Sequence, residues 1–407
     1  MNKKYTLILF VVLILGFVMR EQARPSRLGA AMLKYEVEQK IALLDPVFSQ
    51  FVKEYETFLF DQLKQEGVPG AAVAIIKDST VALIKPYGVR SVASGEPVNL
   101  HTVFRVASLS KGFTGLLAAI MVEDGALTWE EPVYRHVPAF HLKGEAETQA
   151  LQLQHVLSHT TGLPRHTYSN LLNMGMAYPS ILNMLSTVEL SHPVGAYHNY
   201  QNVAFSLAGD VLEDASGKAL PELLASRIFN PLGMADASAS FDSMRLGDNI
   251  ALPHKRIKAG YAETDIEPNY YEVLPAAGVN ASINDMAEWL QLLLGNRPDI
   301  ASESLLNQVF RPFVEIPVRD RVLRNWDGLE AAHYGMGWRI LNMKNGMVAV
   351  QHSGYVNGYR AEIAFSREEK LGIVLLTNAP NYTVGHSIPA FFEKYRTSCM
   401  QPGSTYQ

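Results

Sequence analysis

Residues 112–124, GFTGLLAAIMVED, place the strongest constraint on the fold. Apolar side chains in this run recur on almost every side of a helical projection, and the run ends at Gly125. A helix that is apolar all round is stable only inside a core. The run therefore predicts a central buried helix around which the other elements pack.

Strand patterns lie at both ends of the chain, and helix patterns lie between them. AAVAIIK and TVALIKPYG indicate an early hairpin, and YGMGWRILN, GMVAVQHSG, GYRAEIAFSREEK and LGIVLLTNA indicate late strands before a last helix. This order predicts an α+β fold, in which both ends build one antiparallel sheet flanked by helices. We expect the folded domain to span residues 59–395, with a mainly helical lobe over about 130–300. A cleft between the sheet and this lobe is the natural ligand site.

The first 22 residues have the pattern of an export signal. Lys3 and Lys4 precede an apolar run over residues 5–19, which is short for a spanning helix of roughly 20 residues. A removed signal peptide and a retained membrane anchor both fit this pattern. We expect an exported protein, periplasmic or otherwise extracytoplasmic. We expect residues 23–58 to form a helical lead-in, broken at Pro46.

Composition excludes several classes of function. The chain has 407 residues, a formal net charge of −5 and no long basic block, so nucleic acid is not an expected partner. Its single cysteine, Cys399, rules out an internal disulfide or a Cys-rich metal site, and the histidines lack zinc-ligand spacing. We therefore predict no metal and no cofactor, and a small-molecule or peptide substrate. The oligomeric state is left open.

The stretch FRVASLSKGFTG carries a serine and a lysine three positions apart, Ser108 and Lys111. If the helix begins near Ser108, both side chains share one face. A serine hydroxyl needs a base to become a nucleophile, and a lysine can serve once burial lowers its pKa. Free N–H groups at the helix start would suit a developing oxyanion. The alternative is an N-cap serine beside a solvated lysine.

Two tyrosine triplets follow in AYHNYQNVAFSLAGDVLEDASG. Tyr200 and Asn202 belong to a Y-x-N triplet just before a helix, where the phenol could carry a proton and the amide could orient a substrate or the lysine. Tyr197 begins a second triplet, so spacing alone leaves the tyrosine undecided.

A third triplet, His352-Ser353-Gly354, follows a strand pattern in VAVQHSGYVNGYRAEIAFS. Gly354 would allow a substrate to lie close to the strand edge. The next backbone N–H, that of Tyr355, could complete an oxyanion hole. The alternative is an ordinary hairpin turn.

In this order the three triplets resemble those of the serine β-lactamase and penicillin-binding-protein superfamily, in which S-x-x-K is followed by Y-x-N and a K-T-G-type triplet. The likeness covers roughly residues 60–395 and is greater to the class C β-lactamase-related branch, with its esterases and D-amino-acid peptidases. Stretches that carry it include GVPGAAVAII, LSHTTGLP, IFNPLGM and YGMGWRI. Only Tyr200 stands at the family's distance from the following LAG and SG residues.

The resemblance implies a role for each matched residue. Ser108 would be the acylated nucleophile, Lys111 and Tyr200 would share proton transfer, and Asn202 would position substrate. The backbone N–H groups of Ser108 and Tyr355 would form the oxyanion hole. His159, in LSHTTGLP, falls in a loop that is structural in the family and borders the cleft.

His352 departs from the superfamily pattern, because β-lactamases and transpeptidases carry a lysine there. Lysine is a permanent cation, whereas histidine is mostly neutral at pH 7. We therefore expect a serine hydrolase acting on esters, D-amino-acid amides or peptides, with His352 and Gly354 at the substrate. The alternatives are a true β-lactamase or D,D-peptidase, and a non-catalytic cell-wall binding or sensor module.

Overall fold

The computed structural model describes residues 45–400, so the predicted export signal and most of the predicted lead-in lie outside the described residues. Twelve strands are found in this part of the chain: β1 Gly70–Lys77, β2 Thr80–Gly88, β3 Phe104–Arg105, β4 His254–Ile257, β5 Gly260–Glu263, β6 Asn280–Ala281, β7 Val314–Glu315, β8 Leu329–Tyr334, β9 Arg339–Met343, β10 Val348–Val356, β11 Tyr359–Ser366 and β12 Leu371–Thr377.

The α-helices of residues 45–400 are α1 Pro46–Gln65, α2 Ser110–Glu123, α3 Val133–His136, α4 Glu145–Ala150, α5 Leu153–Leu157, α6 Ser169–Asn173, α7 Tyr178–Met184, α8 Val203–Ser216, α9 Leu220–Leu224, α10 Asn230–Leu232, α11 Phe241–Leu246, α12 Leu274–Ala277, α13 Ile283–Leu293, α14 Glu303–Val309 and α15 Thr383–Cys399. Short 3₁₀ turns cover Ala107–Leu109, Leu185–Thr187 and Asn269–Tyr271, and a π turn covers Ala225–Phe229.

Both ends of the chain build one antiparallel sheet, as the strand patterns predicted. Its order is β2-β1-β12-β11-β10-β9-β8-β7, and β1 joins the two ends by pairing Ala71 with Thr377 through Lys77 with Leu371. Strand β12 is buried at every position, which explains its unbroken apolar sequence. The α+β fold class is confirmed.

Helix α2 is the buried central helix that the sequence predicted, since every residue from Ser110 to Met121 is buried. Two glycines let the chain pack closely against it. A Cβ at Gly112 would lie 2.3 Å from the Trp338 ring, and one at Gly115 would lie 2.1 Å from the carbonyl oxygen of Met336. The turn between β8 and β9 therefore rests directly on the helix that carries Lys111.

Helix α1 buries one face with helical spacing, at Phe48, Phe51, Tyr55, Leu59 and Leu63. It packs on α15, where the Phe51 and Phe391 rings lie 5.3 Å apart. Pro46 is the first residue of α1, a position where a missing N–H has no cost.

The region from about 130 to 300 is mainly helical, with small strands that sequence patterns did not indicate. Strand β6 pairs with β3, and β4 pairs with β5. The β3–β6 pair joins the chain just before α2 to the segment after α12, and so brings the helical lobe against the S-x-x-K stretch. The boundaries predicted for the domain stay a prediction.

Candidate active site

Ser108 lies on a tight turn just ahead of α2. The sequence placed it at the helix start, but a 3₁₀ turn intervenes and the α-helix begins at Ser110. Ala107 has a φ of 51°, a left-handed conformation that costs free energy for a residue with a Cβ. The buried Ser110 hydroxyl stabilises the turn by donating to the Ala107 carbonyl (2.7 Å) and accepting from the Val279 N–H (2.9 Å). Ser108 itself is partly exposed, as a nucleophile must be.

Lys111 is fully buried, which excludes the solvated lysine considered above. Its Nζ lies 2.8 Å from Asn202 Oδ1, 3.0 Å from the Ala276 carbonyl oxygen and 3.4 Å from Ser108 Oγ. Burial, helped by the positive charge of Arg339, lowers the pKa of Lys111 well below its ordinary value. A neutral amine has two N–H bonds and one lone pair. Because Asn202 and Ala276 supply acceptors for the N–H bonds, the lone pair is left to face Ser108.

Tyr200 completes this arrangement. Its ring centroid lies 4.7 Å from Lys111 Nζ, and its hydroxyl lies near Ser108. Burial raises the pKa of Tyr200, although Arg339 and the neighbouring Ser108 hydroxyl oppose the shift, so the phenol is protonated at neutral pH. The competing Tyr197 is 42% exposed, whereas Tyr200 is 8% exposed. The geometry thus brings together Ser108, Lys111 and Tyr200; their catalytic roles stay predictions.

His159 supports Tyr200 from behind. The imidazole is buried and lies 4.3 Å, centroid to centroid, from the Tyr200 ring. Its Nδ1 accepts a hydrogen bond from the Gln201 backbone N–H at 3.2 Å, which ties the loop after α5 to the Y-x-N triplet. This packing agrees with the structural role that the sequence indicated for the loop.

The ring of His352 is buried and both of its nitrogens have partners. Nδ1 lies 2.9 Å from the Ser353 carbonyl oxygen, to which it donates, and Nε2 accepts from the Tyr334 hydroxyl at 3.0 Å. Burial, with added repulsion from Arg339, lowers the pKa of His352 well below its ordinary value. The structure therefore gives His352 no unoccupied donor toward the cleft, and its predicted contact with substrate would require breaking one of these hydrogen bonds.

Gly354 allows a close approach, but the atoms that approach it belong to the chain itself. Strand β10 pairs with β9 only as far as Gln351, and the strand beyond lies against the turn that carries Ser108. A Cβ on Gly354 would lie 2.6 Å from the Val106 carbonyl oxygen and 3.0 Å from the Ser108 nitrogen. The turn that carries Ser108 thus requires a glycine at this position, and the approach of a substrate to Gly354 stays a prediction. Tyr355 follows directly, with 60% of its side chain exposed.

Arg339 is the charged residue that sequence reasoning missed. It begins β9 and is 5% exposed, and its guanidinium carbon lies 5.8 Å from the centroid of the Tyr200 ring. Nη1 donates to Gln351 Oε1 at 3.2 Å, but within residues 45–400 no carboxylate lies within 4.0 Å of it. A buried cation without a paired anion is costly to keep. The sequence signal is a lone arginine inside the apolar run YGMGWRI.

Cavity volume alone does not locate this site. A cavity of about 740 Å³ is lined by residues of α1, α15, the segment before β8 and the segment from β9 to β10, and no residue of the three triplets lines it. A smaller one of about 500 Å³ includes Tyr355.

Within residues 45–400, no cluster of three or more Asp, Glu, His or Cys side chains could hold a metal ion. No helix in that range is long and apolar enough to cross a membrane.

Comparison with known proteins identifies the family. The Beta-lactamase family model matches residues 44–390. The chain belongs to the Beta-lactamase family. Within it, the unguisins hydrolase ungD′ of Aspergillus campestris is 25% identical over 356 residues, 83% of this chain and 61% of the relative. Protein flp of Staphylococcus aureus is 24% identical over 329 residues, 80% of this chain and 62% of the relative. This chain thus spans about three fifths of the length of these curated relatives.

The structural comparison agrees on the fold of this Beta-lactamase family member. The octameric penicillin-binding protein homologue from Pyrococcus abyssi superposes with a TM-score of 0.73 at 23% identity, covering 86% of this chain and 77% of that chain. The predicted membership of the β-lactamase and penicillin-binding-protein superfamily is confirmed, and activity as a serine hydrolase is a proposal.

Proposed function

We propose that the protein hydrolyses esters, D-amino-acid amides or peptide-like substrates through an acyl-enzyme on Ser108. The observation that carries the proposal is the placement of a fully buried Lys111 with two acceptors and the Ser108 hydroxyl around its Nζ. A neutral amine in this position is a general base for the hydroxyl.

The steps follow from the protonation states. Lys111 Nζ takes the Ser108 proton while Oγ attacks the substrate carbonyl carbon, and the carbonyl π-electrons move onto oxygen. The backbone N–H groups of Ser108 and Tyr355 would stabilise that oxyanion. When the intermediate collapses, the bond to the leaving group breaks and the protonated Tyr200 supplies the leaving group's proton. The Lys111 ammonium then passes its proton to the Tyr200 phenolate, which restores both groups. A water attacks the acyl carbon and gives a proton to Lys111, and this proton moves to Ser108 Oγ as the bond between the acyl carbon and Oγ breaks. The products are a carboxylic acid and free Ser108.

Arg339 favours substrates that carry an anionic group near the scissile bond. It is a permanent cation that lies beside Tyr200, in a region where His352 is neutral and fully hydrogen-bonded. A substrate carboxylate would pair with it directly, whereas the buried Glu362 reaches it only through Gln351. One charge-assisted hydrogen bond of this kind contributes about 1.5–3 kcal/mol, or roughly 10- to 150-fold in affinity.

The first test is a substrate panel of esters and D-amino-acid amides or peptides, run beside a chromogenic cephalosporin. Ester or D-amide turnover by wild type, absent in Ser108→Ala, supports the proposal. Cephalosporin turnover alone would favour the β-lactamase alternative. If no substrate is turned over and a fluorophosphonate does not label the protein, the non-catalytic binding module is favoured.

A second test isolates Arg339. Substrates that differ only in a free carboxylate or its methyl ester are compared in wild type, Arg339→Lys and Arg339→Met. We expect Arg339→Met to raise KM for the acid at least tenfold and to change KM for the methyl ester little, whereas Arg339→Lys keeps part of the preference. Equal losses on both substrates would remove the anchoring role.

We also propose that the protein is exported, with residues 5–19 as a removed signal or a retained anchor. The basis is the lysine-apolar pattern of the N-terminus. Fractionation of cells expressing the full chain with a C-terminal tag tests this proposal, and a wholly cytoplasmic tag contradicts it.

A further inference from the structure

A cavity of about 500 Å³ opens beside the proposed oxyanion hole and has no part in the steps above. Its volume is that of a small-ligand site. Its polar lining consists of three amides, two phenols and one carboxylate: Asn173, Asn269, Asn357, Tyr270, Tyr355 and Glu267.

Two of its lining residues place this cavity near the proposed reacting groups. Tyr355 lines it and directly follows Gly354, whose Cα faces the Ser108 nitrogen. Tyr270 lines it too and is close enough to both Tyr355 and Tyr200 to interact with them electrostatically. A substrate acylating Ser108 can therefore extend into the cavity.

The wall that carries Glu267 is fixed to β3, the strand just before Ser108. Arg105, three residues before Ser108, is buried and donates from Nη1 to the Glu267 carbonyl oxygen at 2.9 Å. Its guanidinium also lies 4.2 Å from the centroid of the Tyr271 ring. Across the cavity, Asn269 Nδ2 donates to the Asn173 carbonyl oxygen at 3.0 Å. The pocket is therefore formed before substrate arrives, which lowers the entropic cost of binding.

The charge of its lining residues determines which kind of ligand the cavity would bind. Glu267 is the one formally charged side chain among the lining residues, and within residues 45–400 no basic side chain lies within 4.0 Å of its carboxylate. Arg105 contacts the main-chain oxygen of Glu267 and is otherwise enclosed. An ammonium group would pair with this carboxylate, donate to the amide oxygens and lie against the phenol rings.

We propose that this cavity is a subsite for a protonated amine of the substrate, with Glu267 as its specificity-determining residue. The inference rests on the proposed function and extends it. A substrate would carry its ammonium group in the Glu267 cavity and its anionic group toward Arg339, so that the two charges fix its direction across Ser108.

The test compares D-alanine p-nitroanilide with its N-acetyl derivative, and uses p-nitrophenyl acetate as a reference that lacks an amine. We expect Glu267→Gln to lower the preference in kcat/KM for the free amine roughly tenfold, mainly through KM, because one charge-assisted hydrogen bond is weakened. Turnover of p-nitrophenyl acetate should stay within about twofold. Asp265→Asn is the matched control, since Asp265 is an exposed carboxylate two residues away and outside the lining.

A binding measurement separates this inference from the proposed function. Full-length Ser108→Ala is titrated with D-alaninamide and with N-acetyl-D-alaninamide by calorimetry. Tighter binding of the free amine, reduced by Glu267→Gln and retained by Asp265→Asn, supports the subsite even if no substrate is turned over. Equal binding of the two amides, absence of binding, or equal effects of the two substitutions would overturn it.

Discussion

Substituting Gly354 by alanine should disable the site through steric displacement alone. The added Cβ would lie 2.6 Å from the Val106 carbonyl oxygen, about 0.8 Å short of the 3.4 Å at which ordinary contact begins. The Ser108 nitrogen, at 3.0 Å, is also too close. Both neighbours are backbone atoms beside or within the turn that carries Ser108, and they cannot rotate away. Strand β10 and this turn must therefore separate by several tenths of an ångström.

The magnitude follows from that displacement. Overpacking of this kind costs about 1–3 kcal/mol of stability. A misplacement approaching 1 Å at a reacting group can cost roughly a hundredfold in rate. We therefore expect Gly354→Ala to lower kcat/KM for the best ester substrate about a hundredfold, while the protein remains folded.

The assay measures initial rates of ester hydrolysis beside urea unfolding followed by circular dichroism. Gly385→Ala is the matched control, since this glycine lies within α15 and its added Cβ would meet nothing closer than 3.5 Å. It should keep full activity and gain up to about 1 kcal/mol in helix propensity. Wild-type kcat/KM in a folded Gly354→Ala variant would refute the close contact as the basis of the arrangement.

Three further predictions concern the proton-transfer groups. Tyr200→Phe should lower kcat at least about a hundredfold in steady-state assays, whereas Tyr197→Phe should stay near wild type; the reverse would exchange the two triplets. Because neutral Lys111 is the base, kcat/KM should fall as the pH drops through its lowered pKa. His352→Gln should leave this fall at low pH unchanged. If the fall disappears in that variant, it belongs to the titration of His352. Between the lowered native pKa of Lys111 and about 10.4, the unfolded chain binds a proton that the native state lacks, so in this window the site makes stability rise with pH by up to about 1.4 kcal/mol per unit. Lys111→Met should remove that pH dependence. If the free energy of unfolding changes with pH by the same amount in the two proteins, the prediction is wrong.

Local chemistry made much of the fold predictable. The all-round apolar pattern of α2 can be stable only in a core, and the strand patterns at both ends needed each other's backbone hydrogen bonds. The 3₁₀ turn at Ser108 was not predictable, because it depends on Ser110 bonding to Val279, far along the chain. The small β3–β6 pair was missed for a similar reason, since two-residue strands carry no pattern.

The candidate site was also predictable only in part. Ser108, Lys111 and the Y-x-N triplet are short motifs, and a sequence can display them. The hydrogen bond at His352 Nε2 depends on Tyr334, which lies 18 residues earlier in the chain. Arg339 bonds to Gln351, 12 residues later, and has no carboxylate within 4.0 Å in the described part of the chain. Such features arise only when distant segments meet.

The proposed mechanism requires that Lys111 activates Ser108 and that Ser108 carries the acyl group. Both requirements can be checked by intact-protein mass spectrometry after reaction with a fluorophosphonate, followed by peptide mapping. We expect a single adduct on Ser108 in wild type, none in Ser108→Ala, and labelling of Lys111→Met that is slower by at least about a hundredfold. An adduct on another residue, or equal labelling of wild type and Lys111→Met, would contradict this mechanism.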